Sequence, residues 1–144
     1  MASFINNEFL FDYDVAVIGV SPTSVYLGFV NGMLQIYDIT ETNIPTEPRH
    51  SRMISLKEEF KNIELLDAYV MCSTRNAVYR LHPDTLNQEA KIEINAKVEI
   101  RSIVISEPGF EDEDQPDTIW VSFRRTDQVQ VINSWTGELL YKIS

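Results

Sequence analysis

Cys72 and His82 are the two side chains in this sequence whose types could do covalent chemistry together, a thiol and an imidazole within one run of alternating apolar residues. A nucleophilic thiol needs its base within hydrogen-bond reach. The run reads as a hairpin turning at Arg75-Asn76, which sets Cys72 opposite Tyr79. His82 then falls three positions further on, roughly 10 Å away at the ordinary rise of a strand. The dyad fails on distance. Cys72 reads as a small core residue and His82 as a turn residue ahead of Pro83. His50 is the other histidine, and neither gives a serine a plausible triad. The five glycines form no phosphate cradle, and Asn31-Gly32 in "VNGM" is a hairpin turn.

A second candidate is the carboxylate run in "EPGFEDEDQPD", Glu107, Glu111, Asp112, Glu113, Asp114 and Asp117. Hard cations want several oxygen ligands, but this run lacks the alternating ligands, central glycine and distant bidentate glutamate of a calcium loop. Adjacent like charges repel one another into solvent. The segment Glu107 to Asp117 is expected to be exposed and dispensable for folding, with Phe110 its one apolar anchor. Weak metal binding and docking to a basic partner stand as its alternatives. No catalytic residue, metal site or cofactor emerges, and the chain is not expected to be an enzyme.

The elements that would position any site are short and have a period of two. Apolar and β-branched runs of four to eight residues, separated by Asn-Gly, Pro, Asp-Thr and Thr-Gly, extend almost from end to end. The predicted strands are Asp14 to Val20, Ser24 to Val30, Met33 to Ile39, Arg52 to Leu56, Ala68 to Cys72, Ala77 to Leu81, Ala90 to Ile94, Val98 to Ile105, Thr118 to Phe123, Gln128 to Ile132 and Leu139 to Ile143. In "SLKEEFKNIELL", Ile63 to Leu66 reads as a further inner strand, against a helix suggested by Phe60, Ile63 and Leu66 three apart. The hairpins repeat. Tyr26, Tyr69 and Trp120 lie 43 and 51 residues apart, and Thr40, Thr85 and Thr136 lie 45 and 51 apart. The longer interval contains the acidic insert.

A period of roughly 40 to 50 residues holding four short antiparallel strands is that of a β-propeller blade. On these hairpins, and on Tyr37-Asp38, Asp84-Thr85 and Thr136-Gly137 standing where Trp-Asp and Gly-His dipeptides are usual, residues 14 to 144 resemble the WD40-like β-propeller repeat superfamily. Within that superfamily it resembles a degenerate propeller segment of a large Roco-type or exchange-factor signalling protein. The resemblance implies an all-β fold of three consecutive four-stranded antiparallel blades, and a non-catalytic protein–protein interaction scaffold. The single domain would comprise an N-terminal arm or closing strand over 1–13, then blades over 14–58, 59–95 and 96–144, the last carrying the insert 107–117.

Propellers use four to eight blades, so three leave the ring open. The missing part would come from a homodimer, from a protein partner, or from a longer chain. The expected contact residues are Val15, Val17, Tyr26, Leu34 and Ile36 of the first sheet and Trp120, Val129, Val131 and Leu140 of the last. Arg75 and the pair Arg124-Arg125 fall in matching turns on one rim, where arginines commonly anchor interfaces. A cationic tip balancing an acidic surface is the plainer account of them. Trp135 falls near the opposite rim, as a cap on its own blade. The other functional class is an enzyme or ligand binder, with a small molecule in the central channel near Asp14 or Asp67.

The net charge of −10, from 22 acidic and 12 basic residues, makes nucleic acid and membrane surfaces unfavourable partners and basic proteins favourable ones. One cysteine forms no internal disulfide, Met1 to Leu10 lacks the basic start and apolar middle of a signal peptide, and the sequence holds no 18-residue apolar span or N-glycosylation acceptor. A cytoplasmic location is expected.

Overall fold

The computed structural model describes residues 3–5, 8–39, 47–94, 97–108 and 115–144, with residues 3–5 and 8–10 described by their backbone. Every regular element among them is a strand. β1 (Ser3–Ile5) and β2 (Glu8–Leu10) form a small hairpin. Three four-stranded sheets follow, each antiparallel with its strands in chain order. The first holds β3 (Val15–Val20), β4 (Ser24–Phe29), β5 (Met33–Asp38) and β6 (His50–Met53). The second holds β7 (Asn62–Leu65), β8 (Val70–Ser73), β9 (Ala77–Leu81) and β10 (Gln88–Glu93). The third holds β11 (Ile100–Ser106), β12 (Thr118–Phe123), β13 (Val129–Asn133) and β14 (Leu139–Ile143). The leading strands β3, β7 and β11 touch in succession, so the sheets fan out from a shared inner edge.

Alternation of side chains across each strand lets both faces of the middle sheet be apolar and buried. Tyr26, Leu34 and Ile36 of the first sheet pack on Val70, Cys72, Tyr79 and Leu81 of the second. On the other face Tyr69, Met71, Val78 and Ile92 pack on Ile100, Ile103, Ile119, Val121 and Ile132 of the third. Each large side chain so buried contributes about 1.5–3 kcal/mol. Phe60 inserts into the first seam from the loop before β7, and the stretch from Ser55 to Leu66 forms β7, with no helix. Its threefold apolar spacing therefore belongs to a loop anchor followed by a strand.

Two turns show the repeat atom by atom. His82 Nδ1 accepts the backbone N–H groups of Asp84 and Thr85, and Asn133 Oδ1 accepts those of Trp135 and Thr136. Thr85 Oγ1 accepts from Asn87 N–H as Thr136 Oγ1 does from Glu138 N–H. Leu86 and Gly137 both take positive φ, 60° and 75°. Thr40 lies outside the described residues.

The aromatic spacing is not structurally equivalent throughout. Counting from the innermost hairpin pairs Gly28↔Leu34, Ser73↔Val78 and Ser122↔Val129, Tyr26 and Trp120 correspond to Met71, with Tyr69 two residues earlier. Tyr69 shares Met71's face because strand side chains repeat every second residue. The apparent period was thus right to within one pleat.

The open faces also differ from expectation. Val17, Tyr26, Leu34 and Ile36 lie in the first seam and offer no outer contact. The register shift between Val15 and Val17 turns Val15 to the opposite face, with Leu27, Phe29 and Tyr37. A strand's two faces are one residue apart, so this assignment needed the pairing register. The middle of that outer face is buried, with Phe11 packed against it, 5.5 Å from the Phe29 ring and 6.2 Å from Tyr37 between centroids, while Ile18 and Val20 on its β3 edge are 63% and 65% exposed. β1 pairs with β2, so no closing strand is added to the last sheet.

Candidate interaction surfaces

The outer face of the third sheet has no such cover among the described residues. Val104, Trp120, Val131 and Tyr141 stand side by side across its four strands, and Ser102, Ser122, Val129 and Ile143 form the next row. Neither row carries a charge. Val104, Trp120 and Tyr141 are 56%, 43% and 66% exposed, with Val131 buried between the last two, whereas Tyr26 and Met71, the counterparts of Trp120, are 5% and 0% exposed inside seams. Ser102 and Ser122 satisfy each other by a 2.6 Å hydroxyl contact, and the Trp120 indole N–H donates to Thr118 Oγ1. Polar groups on this face are thus satisfied within the sheet, as a surface entering a dry seam requires. Leu140 lies at the register shift of β14, beside these rows.

The hairpin turns β4–β5, β8–β9 and β12–β13 mark one rim. Arg75 and Arg124, from different sheets, converge there on Glu99, with ion-pair distances of 3.7 Å each. Backbone bonds fix the meeting: Ile100 N–H donates to Arg75 C=O, and Arg124 N–H to Glu99 C=O. Arg125 adopts φ 62°. It lines one cleft with Arg101 and Arg124 and a second with Lys97, Val98, Glu99 and Arg124. An adjoining cleft carries Lys57, Glu58, Glu59, Lys61, Arg75 and Glu99. Arg75, Arg124 and Arg125 are therefore brought together, through a glutamate that sequence reasoning missed. Its one sequence signal is its place, a carboxylate directly ahead of an inner strand.

Trp120 and Trp135 lie elsewhere. Trp135, on the opposite rim, stacks across a seam: Arg80 of the second sheet sits 3.5 Å from its ring centre and 3.7 Å from that of Tyr69. Trp135 caps the neighbouring sheet, where the sequence suggested its own. Arg80 is buried, with its Nε 3.4 Å from Glu89 Oε1 and without hydrogen-bonding partners for Nε and Nη1. The two ring faces supply the negative potential that hydrogen bonds do not. Arginine in the middle of "VYRL" was the sequence signal for this cluster. Beside it the Tyr69 hydroxyl donates to Asp117, and burial, then that bond, push the Tyr69 phenol well above its ordinary value. Asp117 is thus an anchor of the seam, while residues 109–114 of the insert, Phe110 included, lie outside the described residues. In the first seam Tyr26 donates to Pro83 C=O at 2.7 Å, and Arg49 joins Asp38 at 2.9 Å.

Cys72 pairs with Tyr79 in the β8–β9 register, and burial raises its thiol far above the usual range. His82 Nδ1 is engaged by two backbone donors, as a turn former. Asp14 precedes β3 and Asp67 follows β7, so the two occupy opposite ends of the inner strands. Among the described residues there is no cluster of three metal-ligating side chains, and no helix long and apolar enough to cross a membrane.

Fanned four-stranded antiparallel sheets joined at their inner strands define an open arc of a β-propeller. The fold is that of WD40 propeller domains. The chain superposes on the Myceliophteria thermophila Cps50 (Swd1) β-propeller domain with a TM-score of 0.72 and 13% identity, covering 91% of this chain and 44% of that one. The Neurospora crassa Pan2 WD40 domain gives 0.68 at 12% identity, with coverage of 91% and 38%. The computationally designed Ika4 protein gives 0.72 at 14% identity, with coverage of 93% and 74%. The chain thus spans less than half of the two natural propeller domains. No family model and no curated protein sequence matches it.

Proposed function

We propose that this chain is a non-catalytic protein-interaction scaffold, an arc of a WD40-type propeller whose third sheet receives a further blade from a second copy, a partner protein or contiguous sequence. The observation that carries this reading is Trp120. It holds the position that Tyr26 and Met71 fill inside seams, on a face with the same uncharged character, yet it is exposed. An uncharged sheet face of this kind selects another apolar sheet face over a charged peptide, because burying an unpaired charge against it is costly. Exposed apolar faces mark interaction sites. Phe11 already covers the middle of the first sheet's outer face, which makes the third sheet's face the more open of the two. A cytoplasmic, reducing setting accompanies the proposal, since the lone buried thiol gains nothing from an oxidising one.

Sedimentation of the purified chain tests this. Concentration-dependent association is expected, and Val104→Asp with Trp120→Asp should leave a folded monomer. A thermally stable monomer that binds no apolar dye, and so exposes no apolar sheet face, or association that survives both aspartates, would overturn the proposal.

A further inference from the structure

We infer that the hairpin-turn rim of the second and third sheets is a docking site for a carboxylate-rich polypeptide segment. The charge of the molecule is divided between its ends. Seven of the twelve Lys and Arg residues lie on this rim, while Asp38, Asp67, Asp84, Glu107, Asp117 and Glu138 lie on the other. Across the second and third sheets the rim sets those seven cations against five carboxylates, Glu58, Glu59, Glu93, Glu99 and Asp127. Three of the five are engaged, Glu59 by Lys61 at 3.3 Å, Glu93 by Lys91 at 3.4 Å and Glu99 by two arginines. Lys57, Lys97, Arg101 and Arg125 have no carboxylate within ion-pair distance among the described residues.

Glu99 displays the chemistry the rim accepts. Its two carboxylate oxygens face Arg75 and Arg124, one from each neighbouring sheet, so the guanidinium groups are already arranged around a carboxylate. Contacts of 3.7 Å in an exposed site are loose and mutable. Beyond Arg124 the clefts continue to Arg125, Arg101 and Lys97, which offer the same donors without an occupant among the described residues. Fork-shaped guanidinium donors match carboxylates in two-point fashion. A duplex or single-stranded nucleic acid would bring its phosphates near a chain of net charge −10, which disfavours it against a short acidic segment able to stay on the rim. The rim is built entirely from residues within the three sheets, so this inference does not rest on propeller completion.

Fluorescence anisotropy of a labelled twelve-residue Asp/Glu peptide, titrated with the full chain at low ionic strength, tests it. Saturable binding is expected, weakening as salt rises. Arg124→Glu with Arg125→Glu should weaken it at least tenfold, and Arg101→Glu alone by a smaller factor. Arg49→Glu, a cation of the opposite rim beside Asp38 and Asp84, should change it less than twofold, and circular dichroism should show all variants folded. Absence of saturable binding, equal loss in Arg49→Glu, persistence in the double reversal, or tighter binding of a single-stranded oligonucleotide of equal charge would each overturn the inference.

Discussion

The guanidinium of Arg80 rests 3.5 Å from the centre of the Trp135 ring, tying the second sheet to the third across a largely hydrocarbon seam. Two rings flank one buried cation there, and each should matter to the other. Trp135→Ala and Arg80→Met, measured singly and together by urea unfolding, should show a coupling of about 1–2 kcal/mol. Additive effects would mean that the stack is a consequence of packing and contributes no interaction of its own.

Tyr69 gives the same seam a pH dependence. Its phenol is pushed above the ordinary value, first by burial and then by the bond to Asp117, so the folded state favours the protonated form. Such a group stabilises fully below the unfolded value of about 10, and the stabilisation is lost as pH rises above it. The urea midpoint should therefore fall between pH 8 and pH 11, and fall less in Tyr69→Phe. At pH 8 the variant should be less stable by about 1.5 kcal/mol through the lost hydrogen bond. A steeper alkaline fall in Tyr69→Phe would contradict this assignment.

The acidic insert should separate into a dispensable part and an anchor. Replacing residues 107–116 by a short Asn-Gly turn while keeping Asp117 should leave the melting temperature nearly unchanged. Adding Asp117→Ala should lower it by about 5 °C, the scale of 1–2 kcal/mol in a domain of this size. Calorimetry of the two variants makes the comparison, and equal melting temperatures would show that the Tyr69–Asp117 bond carries no stability.

The strands were legible because their cause is local. Thr118–Phe123 and Leu139–Ile143 announce themselves by alternation and by the turns that bound them, and β9 (Ala77–Leu81) likewise. The Cys72↔Tyr79 pairing followed from the position of one turn. The repeat followed from the threonines of equivalent turns, Thr85 and Thr136, whose hydroxyls do the same work in both. Three blades and an open ring could therefore be read from the chain, since each blade's period is carried by its own residues.

Faces and neighbours were decided elsewhere. One residue of register separates the two sides of a strand, and the shift at Val15/Val17 lies below what alternation can resolve. Tyr26, Leu34 and Ile36 therefore turned inward while Leu27, Phe29 and Tyr37 took the outer side. The net charge is a sum over the chain and contains no positions, so −10 suggested basic partners. The matching turns put Arg75, Arg124 and Arg125 on one rim, but only the fan of the sheets brings Arg75 and Arg124 onto Glu99, and leaves Trp120 as the one member of its repeat position without a sheet against it.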